Sequence, residues 1–258
     1  MPAGYAHLRF GSDILKAAPK ALKQTIYRSK RLFDIGLYGS DPLLFYRPFL
    51  KNKVSALGSR VHKHTGKSFF AQAAAAARNA LNVPAAAAYL YGFVCHYALD
   101  SCCHPYVAEK TADGVAHTEV ETSFDRFLML RDGVDPLKTN PYGAGAISWE
   151  NAGVLAPFFP DLTQKQIYES AQSMARYGGV LLNCSKLPHA IRAMLGSSLS
   201  GLIITDRQNP RCKDSDARLW SLYQKAVGAG SQLLLEMDGY LKGRCCLGSG
   251  FDRTFDAG

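Results

Sequence analysis

Residues 84–105 read PAAAAYLYGFVCHYALDSCCHP. From Pro84 to Leu99 this is the longest apolar stretch in the chain, broken by His96 and followed directly by Asp100. It is short for a bilayer crossing, which takes about 20 residues, so a soluble, buried helix fits it better than a membrane span. Pro84 suits the first turn of such a helix, where its missing N–H costs nothing. Pro105 is expected to stop it just after His104, because a ring nitrogen cannot donate to the preceding turn.

Outward from this segment the apolar spacing is helical almost everywhere. Ile14, Leu15, Ala18, Leu22 and Ile26 recur at helical intervals, predicting a helix from Ser12, as N-cap, to about Lys30. Further helices are expected over 51–64, 68–81, 118–130, 163–177, 188–204 and 214–241. Gly36 to Pro48 carries Gly, Ser, Asp and Pro in turn order and reads as a loop holding Asp41. Residues 133–160 are rich in Gly, Pro and Asn, predicting a long irregular excursion, either a lid or a poorly ordered loop. No run of alternating β-branched residues lies between turn dipeptides. The expected fold is therefore all-α, one multi-helix domain over 1–242 with a loosely ordered tail over 243–258.

Bulk properties narrow the function class. A chain of 258 residues with 47% hydrophobic and 20% charged residues is ordinary for a globular protein. Net charge is +9, and residues 1–70 carry thirteen Lys and Arg against three acids, so the whole excess lies in the N-terminal part and the remainder is close to neutral. Such a region attracts phosphate-bearing ligands or an anionic membrane surface, or is simply a solvated helical face. The seven cysteines, Cys95, Cys102, Cys103, Cys184, Cys212, Cys245 and Cys246, are odd in number and lack CxxC spacing. They are read as small buried residues with reduced thiols rather than a disulfide framework. With no secretory pattern in MPAGYAHLRFGSD, the expected location is cytoplasmic.

The chemistry sits in two pairs. His96 and Asp100, and His117 and Glu121, are each four residues apart. On a helix such residues stack with Cβ atoms about 5–6 Å apart, so both side chains of a pair reach one cation. Imidazole and carboxylate are the donors that hydrolytic zinc uses. One such pair arises easily by chance; two pairs with His104 between them are far more specific. His64 is the rival of His62, two residues away on another helix face. His189 reads as structural, and Glu119 is expected to point away from Glu121.

In chain order His7, Asp41, His62, His96, Asp100, His104, His117 and Glu121 resemble the zinc-dependent phospholipase C family, which shares its helical fold with fungal single-strand-specific zinc nucleases. The likeness covers roughly the first half of the chain. It implies two or three zinc ions: Asp41, His62, His96 and Asp100 at the first, and His104, His117 and Glu121 at the second. Asp100 would bridge to a third ion completed by His7 and the N-terminal amine, which would be that of Pro2 if Met1 is removed. It also implies hydrolysis of a phosphodiester, either a phospholipid or a related soluble phosphodiester, by a zinc-bound hydroxide that Asp41 positions as base or ligand. A nuclease and a helical protein with structural zinc are the alternatives. Two features depart from the family pattern: only four residues separate Asp100 from His104, and the N-terminal tryptophan is missing.

Overall fold

The computed structural model describes residues 4–185, 187 and 201–256. Among them are ten α-helices: α1 Gly4–Ala17, α2 Lys20–Arg28, α3 Lys30–Gly36, α4 Lys53–His62, α5 Gly66–Arg78, α6 Val83–Ala112, α7 His117–Arg131, α8 Trp149–Leu155, α9 Gln164–Cys184 and α10 Lys213–Leu241. No strand occurs among the described residues, where the one isolated β-bridge joins Thr65 to Thr254. The protein is all-α, as its periodicity predicts. None of the described helices is long and apolar enough to cross a membrane.

Helix α6 is the axis of the molecule. Every residue from Ala85 to Ser101 is buried, so this helix needs partners on all sides. α3 and α10 pack along it, with α1, α2, α5 and α7 around them. α3 comes unusually close because two glycines meet at the crossing. A Cβ on Gly36 would lie 2.3 Å from the Tyr89 carbonyl oxygen, and one on Gly92 2.2 Å from that of Phe33. This contact brings the end of α3 over the turn of α6 that carries His96. Polar side chains define several helix starts: Asn52, Thr65 and Asn82 accept from the backbone of α4, α5 and α6, and Thr163 with Gln166 forms a capping box on α9. Such caps contribute about 1 kcal/mol each.

Several expectations are corrected. The predicted Ser12–Lys30 helix is two helices that begin at Gly4 and break at Pro19, with Ser12 inside α1 donating to the Leu8 carbonyl. Pro105 does not end α6, which continues to Ala112. An internal proline costs about 3 kcal/mol, but Val107, just beyond it, is fully buried and ties the last turns to the core. Residues 133–160 are anchored rather than poorly ordered: they include α8, and Tyr142, Ile147, Leu155 and Phe158 are buried. The segment after Gly243, expected to be loose, is packed, with Leu247, Phe251 and Phe255 in the core. Cys245 and Cys246 are exposed, unlike the buried Cys95, Cys103 and Cys212. Phe45, Tyr46 and Phe70 fill the core, and Phe69 packs against it. The helix predicted over 188–204 lies mostly outside the described residues, as does His189, and 201–204 form turn and bend rather than helix.

Candidate metal centre

Five segments bring the eight sequence-predicted residues together. α1 carries His7, the 3-10 turn Asp41–Phe45 begins with Asp41, and α4 ends on His62. α6 carries His96, Asp100 and His104, and α7 carries His117 and Glu121. Because α6 runs through Pro105, the short Asp100–His104 interval makes no tight turn. It stacks His96, Asp100 and His104 on successive turns of one helix.

Asp100 is the hub. Its carboxylate lies 3.2 Å from His7 Nε2, 3.1 Å from His96 Nε2, 3.5 Å from His104 Nε2 and 3.8 Å from His62 Nε2. Asp41 lies 3.1 Å from His62 Nε2 and 3.8 Å from His96 Nε2. Glu121 lies 3.0 Å from His117 Nε2 and 3.4 Å from His104 Nε2. Three donor groups have all their ligand atoms within 4.8 Å of one another: His7 with His96 and Asp100, Asp41 with His62 and His96, and His104 with His117 and Glu121. The third is the group the resemblance implies for the second ion, and the other two share His96.

Three of these atoms stand outside ordinary hydrogen-bonded pairs. Asp41 Oδ1, His96 Nε2 and His117 Nε2 are buried atoms that make no hydrogen bond, although each lies 3.0–3.1 Å from a side chain of the opposite kind. Buried polar atoms are normally satisfied. Donor atoms that crowd together without facing one another have the arrangement of ligands aimed at a shared cation. A cavity of about 30 Å³ bordered by His7, Asp100, His104 and Glu121 has room for an ion or one water. Nitrogen and carboxylate oxygen donors without thiolate fit zinc; Cys103 borders the same cavity but belongs to none of the three groups.

The surroundings tune the donors. Burial disfavours charge on Asp100, yet the imidazoles of His104, His96 and His7 outweigh it and hold the carboxyl well below its usual range. Burial pushes His96 down to about 4 despite Asp100 and Asp41, which keeps it a neutral imidazole. For His62 burial acts the same way, but Asp41 and Asp100 prevail and raise it to about 9. His62 Nδ1 lies 3.0 Å from the Gly58 carbonyl and donates to it, leaving Nε2 as the atom facing Asp41. Such outer hydrogen bonds fix the tautomer of a ligating histidine. Gly39 allows the approach of the loop: with φ at +55°, a Cβ there would sit 2.2 Å from His96 Cδ2.

His62 is buried among these donors while its rival His64 is exposed, and Glu119 faces Arg211 at 3.6 Å rather than the cluster. Met1 and Pro2, and with them the proposed terminal amine ligand, lie outside the described residues. Two carboxylates escaped the sequence reading. Asp125 is buried one turn beyond Glu121 and accepts from the backbone of Tyr5 at 3.0 Å and Ala6 at 2.8 Å. It thus satisfies the free N–H groups at the start of α1 and sets His7 in place. Its spacing, eight residues from His117 and four from Glu121, was the available signal. The other is Asp256, 3.3 Å from His104 Nδ1; no local pattern marks it.

No curated protein and no solved structure matches the chain. The family model described as zinc dependent phospholipase C matches residues 6–174, a span that includes all eight clustered residues. With that match over well over half its length, the chain belongs to the zinc-dependent phospholipase C family.

Proposed function

We propose that this protein is a zinc-dependent hydrolase of phosphodiesters, with a phospholipid-like diester as the favoured substrate. The observation that carries the reading is the convergence of eight imidazole and carboxylate side chains from five segments, three of whose buried ligand atoms, Asp41 Oδ1, His96 Nε2 and His117 Nε2, make no hydrogen bond. Zinc bound there supplies a water acidified towards neutral pH and positive charge for phosphoryl oxygens.

The residues of this chain have separable roles. Asp41 is nearly inaccessible, at 1% exposure, and lies between His62 and His96; this supports a ligand role over that of a base in contact with bulk water. His96, fully buried and neutral, offers Nε2 without first losing a proton. His117 has a side chain 36% exposed although its Nε2 is buried, so the second donor group lies nearer the surface than the other two. A site near the surface can keep a position for substrate, which supports a catalytic role over closed structural zinc. The basic residues of the first seventy add a field that draws an anionic substrate.

The test is a substrate panel on zinc-loaded protein with a chelated control: a chromogenic choline phosphodiester, phosphatidylcholine in mixed micelles, and single-stranded DNA. Chelator-sensitive hydrolysis of the first two is expected. Hydrolysis of DNA alone would transfer the reading to a nuclease, and no metal-dependent hydrolysis of any substrate would leave zinc as a structural element.

A further inference from the structure

We propose that the C-terminal strap, residues 244–256, completes the metal centre, and that Asp256 is a positioning residue for His104. The strap lies beyond the span that the family model matches, yet it is packed directly against the cluster. The Tyr97 hydroxyl donates to the carbonyls of Gly250 at 2.9 Å and Arg253 at 3.1 Å, and Gly66 N donates to Arg253 O at 2.8 Å. Phe251 stacks on Tyr97. Phe255 is fully buried, with its ring centre 5.9 Å from that of His62 and 6.1 Å from that of His96. Asp256 N then donates to the His62 carbonyl at 3.3 Å. The chain end is thus fastened over two of the candidate ligands.

This places the Asp256 carboxylate 3.3 Å from His104 Nδ1. The carboxylate accepts from Nδ1–H, which leaves Nε2 as the atom between Glu121 Oε1 at 3.4 Å and Asp100 Oδ1 at 3.5 Å. A carboxylate on the far nitrogen of a histidine holds its tautomer and ring plane and makes the near nitrogen a stronger donor. His62 receives the equivalent service from the Gly58 carbonyl. The hydrogen bond of the Asp256 carboxylate goes to His104, and its side chain is 49% exposed, so its directional effect falls on that histidine.

The inference rests on the metal-centre reading, which the zinc content of the unaltered protein tests separately. The decisive comparison uses full-length protein with Asp256→Ala, Asp256→Asn and, as a strap control, Asp252→Asn, whose carboxylate meets Lys67. Zinc affinity is measured by competition with a chromophoric chelator, and melting temperature with and without metal. Asp256→Ala should weaken the second zinc by about 10–100-fold. Asp256→Asn, whose amide oxygen still accepts from Nδ1–H, should weaken it less, and Asp252→Asn should leave it unchanged. The metal-free melting temperature should fall less than the zinc-loaded one, because Phe251, Phe255 and Tyr97 still hold the strap although His104 loses one carboxylate. Unchanged zinc affinity in Asp256→Ala would overturn the proposal, as would equal destabilisation with and without metal. Less than one zinc per chain in the unaltered protein would sink the metal-centre reading and this proposal together.

Discussion

Raising the pH should weaken the metal-free protein and strengthen its hold on zinc, over the same window and through the same group. His62 is raised to about 9 in the fold, against an ordinary value of about 6.5. A raised histidine contributes stability fully below its unfolded value and loses it as pH climbs through its folded one. Moving from about 6.5 to about 9 at about 1.4 kcal/mol for each tenfold change in proton affinity corresponds to about 3–4 kcal/mol, lost between roughly pH 6.5 and pH 9. The carboxyl of Asp41, which His96 and then His62 hold low against burial, shares the His62 interaction, which is counted once. His104, raised well above its ordinary value by Asp100, Asp256 and Glu121 against the effect of burial, adds in the same direction. Zinc must displace both protons, since a ligating histidine is deprotonated. Denaturant titration of the metal-free protein at pH 6, 7.5 and 9 measures the first effect. Calorimetric zinc titration at pH 7 in two buffers of different ionisation enthalpy measures the second, with about two protons released in total. Flat stability from pH 6 to pH 9, together with zinc binding that releases no protons, would refute the electrostatic reasoning.

Asp41→Asn should remove the partner that holds His62 charged, so most of that pH dependence should vanish in the same denaturant titration, while zinc content and phosphodiester hydrolysis fall. His117→Ala takes an imidazole from the buried Glu121 carboxylate 3.0 Å away, so the metal-free melting temperature should fall; most of the zinc-dependent rise in melting temperature at the second site should disappear. Gly39→Ala places a methyl group 2.2 Å from the His96 ring at φ +55°. Backbone strain of about 1–2 kcal/mol and displacement of His96 should cost zinc at the first site, read by elemental analysis, whereas Gly133→Ala, with φ +72° but nothing within 4 Å, should cost stability alone.

Much of the fold was visible in local spacing. Helices α4, α5, α7 and α10 fall close to where apolar periodicity places them, because each buries one face and the pattern of that face is local. The exceptions have nameable causes. Pro19 divides what looked like one N-terminal helix, and Pro105 fails to end α6 because burial on both sides of it outweighs a missing hydrogen bond. The tail reads as loosely ordered, yet Phe251 and Phe255 are among the largest fully buried side chains.

The sequence by itself determined the kind of donor and the pairs that share a helix. His96 with Asp100 and His117 with Glu121 follow from the 3.6-residue period, and the order of eight donor types carries the family resemblance. Only the tertiary structure decided which atoms meet. Asp100 touches His7 on α1 and His62 on α4, and Asp125 clamps the start of α1 from 119 residues away. Asp256 reaches His104 across 152 residues. Such contacts have no period to betray them: they depend on how closely Gly36 and Gly92 let two helices approach, and on aromatic packing that fastens the chain end over the site.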